Sequence, residues 1–60
     1  MIELLDTAEF IDTVGAWPAG THVTVLEILE TDALVEVSDN NGKTLEVLAT
    51  PLTTLRKIAN

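Results

Sequence analysis

Three β-type runs in the middle of the chain decide the fold: THVTVLEILE at residues 21–30, ALVEVSD at residues 33–39 and KTLEVLA at residues 43–49. The second and third runs alternate apolar and polar residues through their middles, at V-E-V and L-E-V, which is the period of a strand with one buried face. They are rich in the β-branched residues that strands favour. Short joints at residues 31–32 and 40–42 separate the runs and predict two successive hairpins.

The second joint, NNG, sets the register of its hairpin. A two-residue turn would place apolar residues opposite charged ones, a mixture that one buried face disfavours. A three-residue loop instead pairs Val37 with Leu45. It also pairs Val35 with Val47, so that all four side chains face the core. Gly42 then occupies the third loop position, where a left-handed backbone favours glycine.

The first joint is expected to be a two-residue loop, Thr-Asp. This loop pairs Ile28 with Val35 in the core. It pairs Leu26 with Val37 in the same way. In the upstream half of the run, the apolar residues Val23 and Val25 fall on odd positions, whereas Leu26 and Ile28 fall on even ones. We therefore expect a β-bulge near residues 25–26. A long strand that bends at its middle can serve both halves of a small barrel.

The end of the chain predicts one turn of 3₁₀ helix followed by a short last strand. Thr50 suits the position before a helix, and Pro51 suits its first residue. Residues 55–58 then form the last strand.

The N-terminal region has two interpretations. Asp6 and Glu9 stand at capping-box spacing, and with Gly15 as a stop they predict a helix over residues 7–14. Alternatively, residues 5–11 form a first strand and a long loop follows. The residue pattern alone leaves both open.

The composition restricts the function. The chain has 60 residues, which is one small domain spanning residues 1–60, with ten acidic and three basic side chains and a formal net charge of −7. Nucleic acid is not an expected partner, because phosphate binding needs clustered Lys and Arg and only Lys43, Arg56 and Lys57 are present. No basic n-region and no membrane-length apolar run is visible, so we expect a cytoplasmic protein without a membrane partner. The mean hydropathy of +0.33 indicates apolar surface that is exposed or covered by a partner.

Three strings carry a resemblance to a known family. They are GTHVTVLEIL at residues 20–29, ALVEVSDNNGKT at residues 33–44 and TPLTTLR at residues 50–56. Their order and spacing resemble a family of short bacterial proteins of unknown function, whose members read G-x-x-G-T-V-V-E-V-L, A-Y-x-V-E-F-x-D-x-x-G-R-T and L-P-x-x-x-L-R. The order of predicted elements likewise resembles an SH3-like barrel. The resemblance implies an all-β fold: a five-stranded SH3-like small barrel with one 3₁₀ turn before the last strand.

The resemblance extends over residues 5–58 and favours the strand interpretation of residues 5–11. The chain departs from the family pattern at Val23, where glycine is usual, and at Leu34, where an aromatic residue is common. The entry to the second strand and one outer contact are therefore expected to differ from those of the family. The family supplies no function.

The predicted register places three carboxylates in one outward row. Glu27 would lie opposite Glu36, and Glu36 opposite Glu46. Like charges directly opposite each other destabilise a sheet, so such a row requires an explanation. A solvated face screened by salt, a basic protein partner and a bound cation are the three explanations.

The next outward row would contain Leu29, Leu34 and Leu48. Either Ile2, Leu4 or the last strand folds over these leucines, or they form the apolar centre of a protein interface rimmed by glutamates.

Trp17 is the only tryptophan and lies in the predicted long loop. A lone loop aromatic can anchor a partner, but a polyproline-binding groove needs several aromatic residues. We expect Trp17 to close the open end of the barrel. The alternative hypothesis is that it binds a partner protein.

Catalytic and metal chemistry are not expected. His22 has no second His and no Cys beside it, whereas zinc needs three or four ligands. Residues 39–46 resemble a calcium loop superficially, but the glycine and the final acid stand at the wrong positions. No nucleophile with a base and no phosphate-binding glycine loop is present. We therefore predict no enzyme activity, no cofactor and no metal.

The sequence predicts a non-catalytic protein-interaction module. Its acidity and size suggest an inhibitor, or an antitoxin- or immunity-like protein, that covers a basic partner. The alternative is a self-associating structural or accessory subunit that docks through the leucine row. The candidate contact residues are Glu27, Glu36, Glu46, Leu29, Leu34, Leu48 and Trp17.

Overall fold

The computed structural model describes residues 1–58 and contains five antiparallel strands in one sheet, in the order β4-β3-β2-β1-β5. The strands are β1 (Thr7–Phe10), β2 (His22–Ile28), β3 (Asp32–Ser38), β4 (Thr44–Pro51) and β5 (Leu55–Lys57), with a 3₁₀ turn (Leu52–Thr54) before β5. The predicted all-β class and the 3₁₀ turn before the last strand are confirmed. In the described range β4 and β5 end the sheet without pairing to each other, so the sheet is not closed into a barrel.

The N-terminal region forms a strand, not a helix. β1 pairs with β2 on one side and with β5 on the other, and its alternate residues Ala8 and Phe10 are buried. The two acids that resembled a capping box have other partners, since Asp6 accepts a hydrogen bond from the Glu3 amide and Glu9 pairs with Arg56. Pairing on both edges satisfies the backbone and buries a period-2 face, which a short helix here could not do.

The core lies on one face of the sheet and draws residues from every strand. Its buried apolar residues are Ala8, Phe10, Val23, Val25, Ala33, Val35, Val37 and Leu55, and Ile2, Val14, Trp17, Leu48 and Leu52 pack against them. Thr50 is the buried polar residue among them, and its hydroxyl shares a 2.7 Å hydrogen bond with the hydroxyl of Thr54. The 3₁₀ turn thus satisfies the one polar side chain that β4 buries.

The predicted bulge in β2 is confirmed, but the predicted register is wrong. The pairing shifts between Val25 and Glu27, so Leu26 is the extra residue. Between the bulge and the turn, Ile28 lies opposite Ala33 instead of Val35. Leu26 in the bulge and Ile28 beyond it are exposed, so they are not the core residues that the alternation predicted.

The turn between β2 and β3 also begins one residue earlier than expected. The amide of Leu29 donates to the carbonyl of Asp32 at 2.8 Å, which leaves Glu30 and Thr31 as the two loop residues. The loop length is as predicted, and this earlier turn moves the partner of Ile28 from Val35 to Ala33.

The loop between β3 and β4 has the predicted length. The amide of Asp39 donates to the carbonyl of Lys43 at 2.9 Å, which encloses a three-residue loop ending at Gly42. Gly42 has a φ of 84°, as the predicted left-handed position requires. The Asp39 carboxylate stabilises this loop, because its Oδ1 accepts hydrogen bonds from the amides of Asn41 and Lys43.

The register of the second hairpin is nevertheless wrong. A second bulge, between Val37 and Ser38 on the β3 side, pairs Val37 with Glu46 and Val35 with Leu48. The extra residue is Leu45 on β4. A shift of one residue reverses the faces of a strand, so Leu45 and Val47 turn away from the core.

Gly42 gives a direct test of this loop. Its open surroundings leave room for a Cβ, so the backbone is the only source of strain in Gly42→Ala. We expect this substitution to lower the free energy of unfolding by about 1 kcal/mol, measured by urea denaturation. Gly42→Asn is the control and should lose less, because asparagine tolerates the left-handed region. Equal stability of Gly42→Ala and the unmodified chain would contradict the positive φ.

Candidate protein-binding surface

The predicted row of three glutamates does not form. Glu27 lies opposite Leu34, whereas Glu36 lies between Thr24 on β2 and Val47 on β4. Glu46 lies opposite the buried Val37 and so belongs to the inward set of β4. The cause on β2 is the turn that begins one residue early, and the cause on β4 is the bulge at Leu45.

The predicted leucine row does not form either. Leu34 lies opposite Ala49, and Leu48 lies opposite Val35 and packs against the core. Leu29 follows the end of β2 and is exposed. The three leucines therefore do not share one stripe.

Trp17 is held by a small hairpin within the long loop. Val14 and Trp17 exchange two backbone hydrogen bonds of 2.8 and 2.9 Å across Gly15 and Ala16. Gly15 has a φ of 56°, the positive value that the first central position of a type II′ turn needs. Trp17 is partly buried and packs against the core.

The structure brings into contact two predicted site residues that lie far apart in the sequence. The indole Nε1 of Trp17 donates to Oε1 of Glu46 at 2.6 Å, across 29 positions of the chain. This contact anchors the long loop to the inner side of β4 and gives the inward-facing carboxylate a partner. No local pattern could have predicted it, because it depends on the bulge that turns Glu46 inward.

The face of β2–β4 opposite the core is called here the outer face. Strand alternation and pairing place two cross-strand rows on it: Thr24, Glu36 and Val47 in one, and Glu27, Leu34 and Ala49 in the other. Leu45 lies beside them at the bulge and is 50% exposed, and Val47 is 47% exposed. The outer face therefore combines two carboxylates with exposed apolar side chains.

The basic side chains lie mostly elsewhere. Arg56 pairs with Glu9 at 2.9 Å and Lys57 with Asp6 at 3.5 Å, both at the β1–β5 side of the sheet. Within residues 1–58, no salt bridge reaches Glu27, Glu36 or Glu46. The carboxylate of Glu36 instead accepts a hydrogen bond from the hydroxyl of Thr44 on β4. The outer face thus keeps its negative charge without a neutralising cation.

One open polar groove of about 240 Å³ lies near the β3–β4 turn. Its lining residues are Thr7, His22, Val23, Thr24, Ser38, Asp39 and Asn40. One carboxylate oxygen of Asp39 accepts two backbone hydrogen bonds within the turn. The acid that begins the calcium-like stretch therefore has a structural role in the turn. Across the described part of the chain, no three His, Cys, Asp or Glu side chains are grouped to hold a metal ion.

Comparison of the chain with protein-family models, curated proteins and solved structures gives no match. The fold and the surface therefore define its class on their own: a small all-β protein with an acidic and apolar outer face. In the described range, none of the helices has the length and apolarity needed to cross a membrane.

Proposed function

We propose that this chain is a non-catalytic protein-interaction module that covers a basic protein partner with its outer face. One observation carries the proposal: Glu27 and Glu36 have no cationic partner in the described residues, and the exposed side chain of Val47 lies directly opposite Glu36 on the same face. Protein interfaces combine an apolar centre with polar groups at the rim. A partner rich in Lys and Arg would supply the missing charge.

The wider proposal concerns the fold family. The strand order and the 3₁₀ turn before β5 support an SH3-like small barrel related to the short bacterial family that the sequence resembles. In such a protein the outer face of β2–β4 is a platform held by the core behind it. We place it in the cytoplasm as an inhibitor, or as an antitoxin- or immunity-like protein, of a basic partner. The net charge of −7 would speed encounter with that partner and disfavour anionic ones.

Charge reversal tests the proposal. The double variant Glu27→Lys/Glu36→Lys is expected to lose capture of its partner by at least about tenfold, because it replaces attraction by repulsion on the outer face. The measurement is co-purification with the products of neighbouring genes, followed by calorimetry on the captured protein.

The matched control changes the same number of charges away from the outer face. Glu3→Lys/Asp12→Lys alters two exposed acids, one near the N-terminus and one in the long loop. The control should keep capture within about threefold, the effect of net charge alone. Equal loss in both double variants would show that the outer face is not the contact surface.

The second candidate function is self-association. The sequence placed it on a leucine row that does not form, but the exposed side chains of Leu45 and Val47 lie together on β4 and still favour an apolar contact. Light scattering at high concentration distinguishes the two functions, since a monomer excludes self-association.

A further inference from the structure

The outer edge of β4 is unpaired in the described part of the chain. β4 is the last strand in the sheet order and, at eight residues, the longest strand. It pairs with β3 alone. A free edge presents backbone donors and acceptors that another strand can use.

The hydrogen-bond alternation shows which backbone groups face that edge. The amide of Leu52 donates to the carbonyl of Thr31 at 3.0 Å, at the end of the β3–β4 ladder. Along an antiparallel strand, the backbone N–H and C=O groups of successive residues point alternately toward the paired strand and away from it. On β4 the groups that point toward β3 therefore belong to Thr50, Leu48 and Glu46. Val47 and Ala49 point theirs toward the free edge.

The side chains around the edge select the chemistry of an incoming strand. On the outer face, a residue placed beside Val47 would be two strand spacings, about 10 Å, from the backbone of Glu36. The Glu36 carboxylate leans toward the edge, because it accepts a hydrogen bond from Thr44 on β4. A Lys or Arg could lay its apolar stem over Val47 and bring its charge to that carboxylate.

The inner side of the edge has a different character. Leu48 and the Trp17 hairpin lie there, and the indole N–H already donates a hydrogen bond to the Glu46 carboxylate. An incoming strand would therefore place apolar residues on this side. Because successive side chains of a strand alternate between faces, the matching sequence alternates basic and apolar residues.

We propose that β4 binds its partner by strand addition, accepting an extended segment of alternating Lys or Arg and apolar residues on the backbone groups of Val47 and Ala49. This inference rests on the proposed function and names how the partner is held. A second copy of the chain is a poor occupant, since it also carries a net charge of −7 and its β4 holds no basic residue.

The probe is a hexapeptide of alternating valine and lysine with blocked ends. Titration followed by amide NMR is expected to shift the signals of Val47 and Ala49 most, with binding that weakens as salt rises. Val47→Pro removes the one edge-facing amide hydrogen of that residue and spares the ladder to β3, so binding should fall at least about tenfold. Val47→Thr keeps the amide and the side-chain shape and is the matched control, expected to bind within about twofold.

A second experiment uses the unmodified protein and changes only the peptide. The same hexapeptide N-methylated at alternate residues, on the backbone positions facing β4, keeps its side chains and should lose binding. Equal binding of the methylated peptide, or absence of binding by the parent peptide at millimolar concentration, would overturn strand addition. The Glu27→Lys/Glu36→Lys result is independent of this peptide, so partner capture that depends on those charges would leave the proposed function standing. A dimer that Val47→Pro dissociates would also overturn the inference, because a second copy would then occupy the edge.

Discussion

Phe10→Ala is expected to leave the chain largely unfolded at room temperature. Phe10 is 1% exposed and is the largest of the fully buried side chains. Truncating a buried Phe costs about 3–5 kcal/mol through lost burial and the cavity left behind. A single core in a chain of 60 residues supplies about 3–5 kcal/mol of stability in total, so the loss is most or all of it.

The position of Phe10 in the sheet increases this effect. Its backbone pairs with Leu55 on β5, receives a hydrogen bond from Gly20 at 2.7 Å and donates one to Thr21 at 3.0 Å. The side chain therefore supports the place where β1, β5 and the end of the long loop meet. Unfolding followed by far-UV circular dichroism and urea measures the loss.

Ile11→Ala is the control for Phe10→Ala. Ile11 is the next residue and is 43% exposed, so its truncation should cost less than about 1 kcal/mol. Similar losses for the two variants would contradict the assignment of Phe10 to the core face of β1.

Trp17→Ala is expected to cost about 2 kcal/mol. The ring is partly buried against the core, and its indole holds Glu46, so both packing and a hydrogen bond to a charged acceptor are lost. The value lies below that of a fully buried aromatic because part of the ring is already in water. The measurement is urea denaturation followed by circular dichroism, since removing the only tryptophan removes its fluorescence.

A double-mutant cycle separates the hydrogen bond from the packing. Trp17→Phe keeps an aromatic ring and removes the indole donor, and Glu46→Ala removes the acceptor. We expect a coupling energy of about 0.5–1 kcal/mol between them. Additive losses would show that the loop is held by packing alone and that the 2.6 Å contact contributes nothing.

Most of the elements could be predicted because their signals are local. The alternation over residues 33–39 and 43–49 identified two strands, and the position of Gly42 identified the loop between them. The bulge near residues 25–26 was also predicted, since Val23 and Val25 conflict in parity with the residues that follow. The choice between strand and helix at residues 7–10 required the edges of β2 and β5, which lie far away in the chain.

The candidate surface was predicted less well, because it depends on register. Two sets of alternate residues on β4 compete for the core: Leu45, Val47 and Ala49, or Glu46, Leu48 and Thr50. Alternation favours the first set, which is wholly apolar. The structure turns the second set toward the core side, where each member has a tertiary partner. Thr50 is buried and bonds to Thr54, Leu48 packs against the core, and the exposed Glu46 accepts a hydrogen bond from Trp17.

The sequence by itself therefore determined the class of the fold, the number and lengths of the turns between β2, β3 and β4, and the excess of negative charge. These follow from side-chain period, backbone conformation and composition, which act over a few residues or over the whole chain at once. Only the tertiary structure decided which glutamates and apolar residues share the outer face. A single bulge reverses every side chain beyond it at small local cost, so the balance is set by contacts between residues distant in the chain.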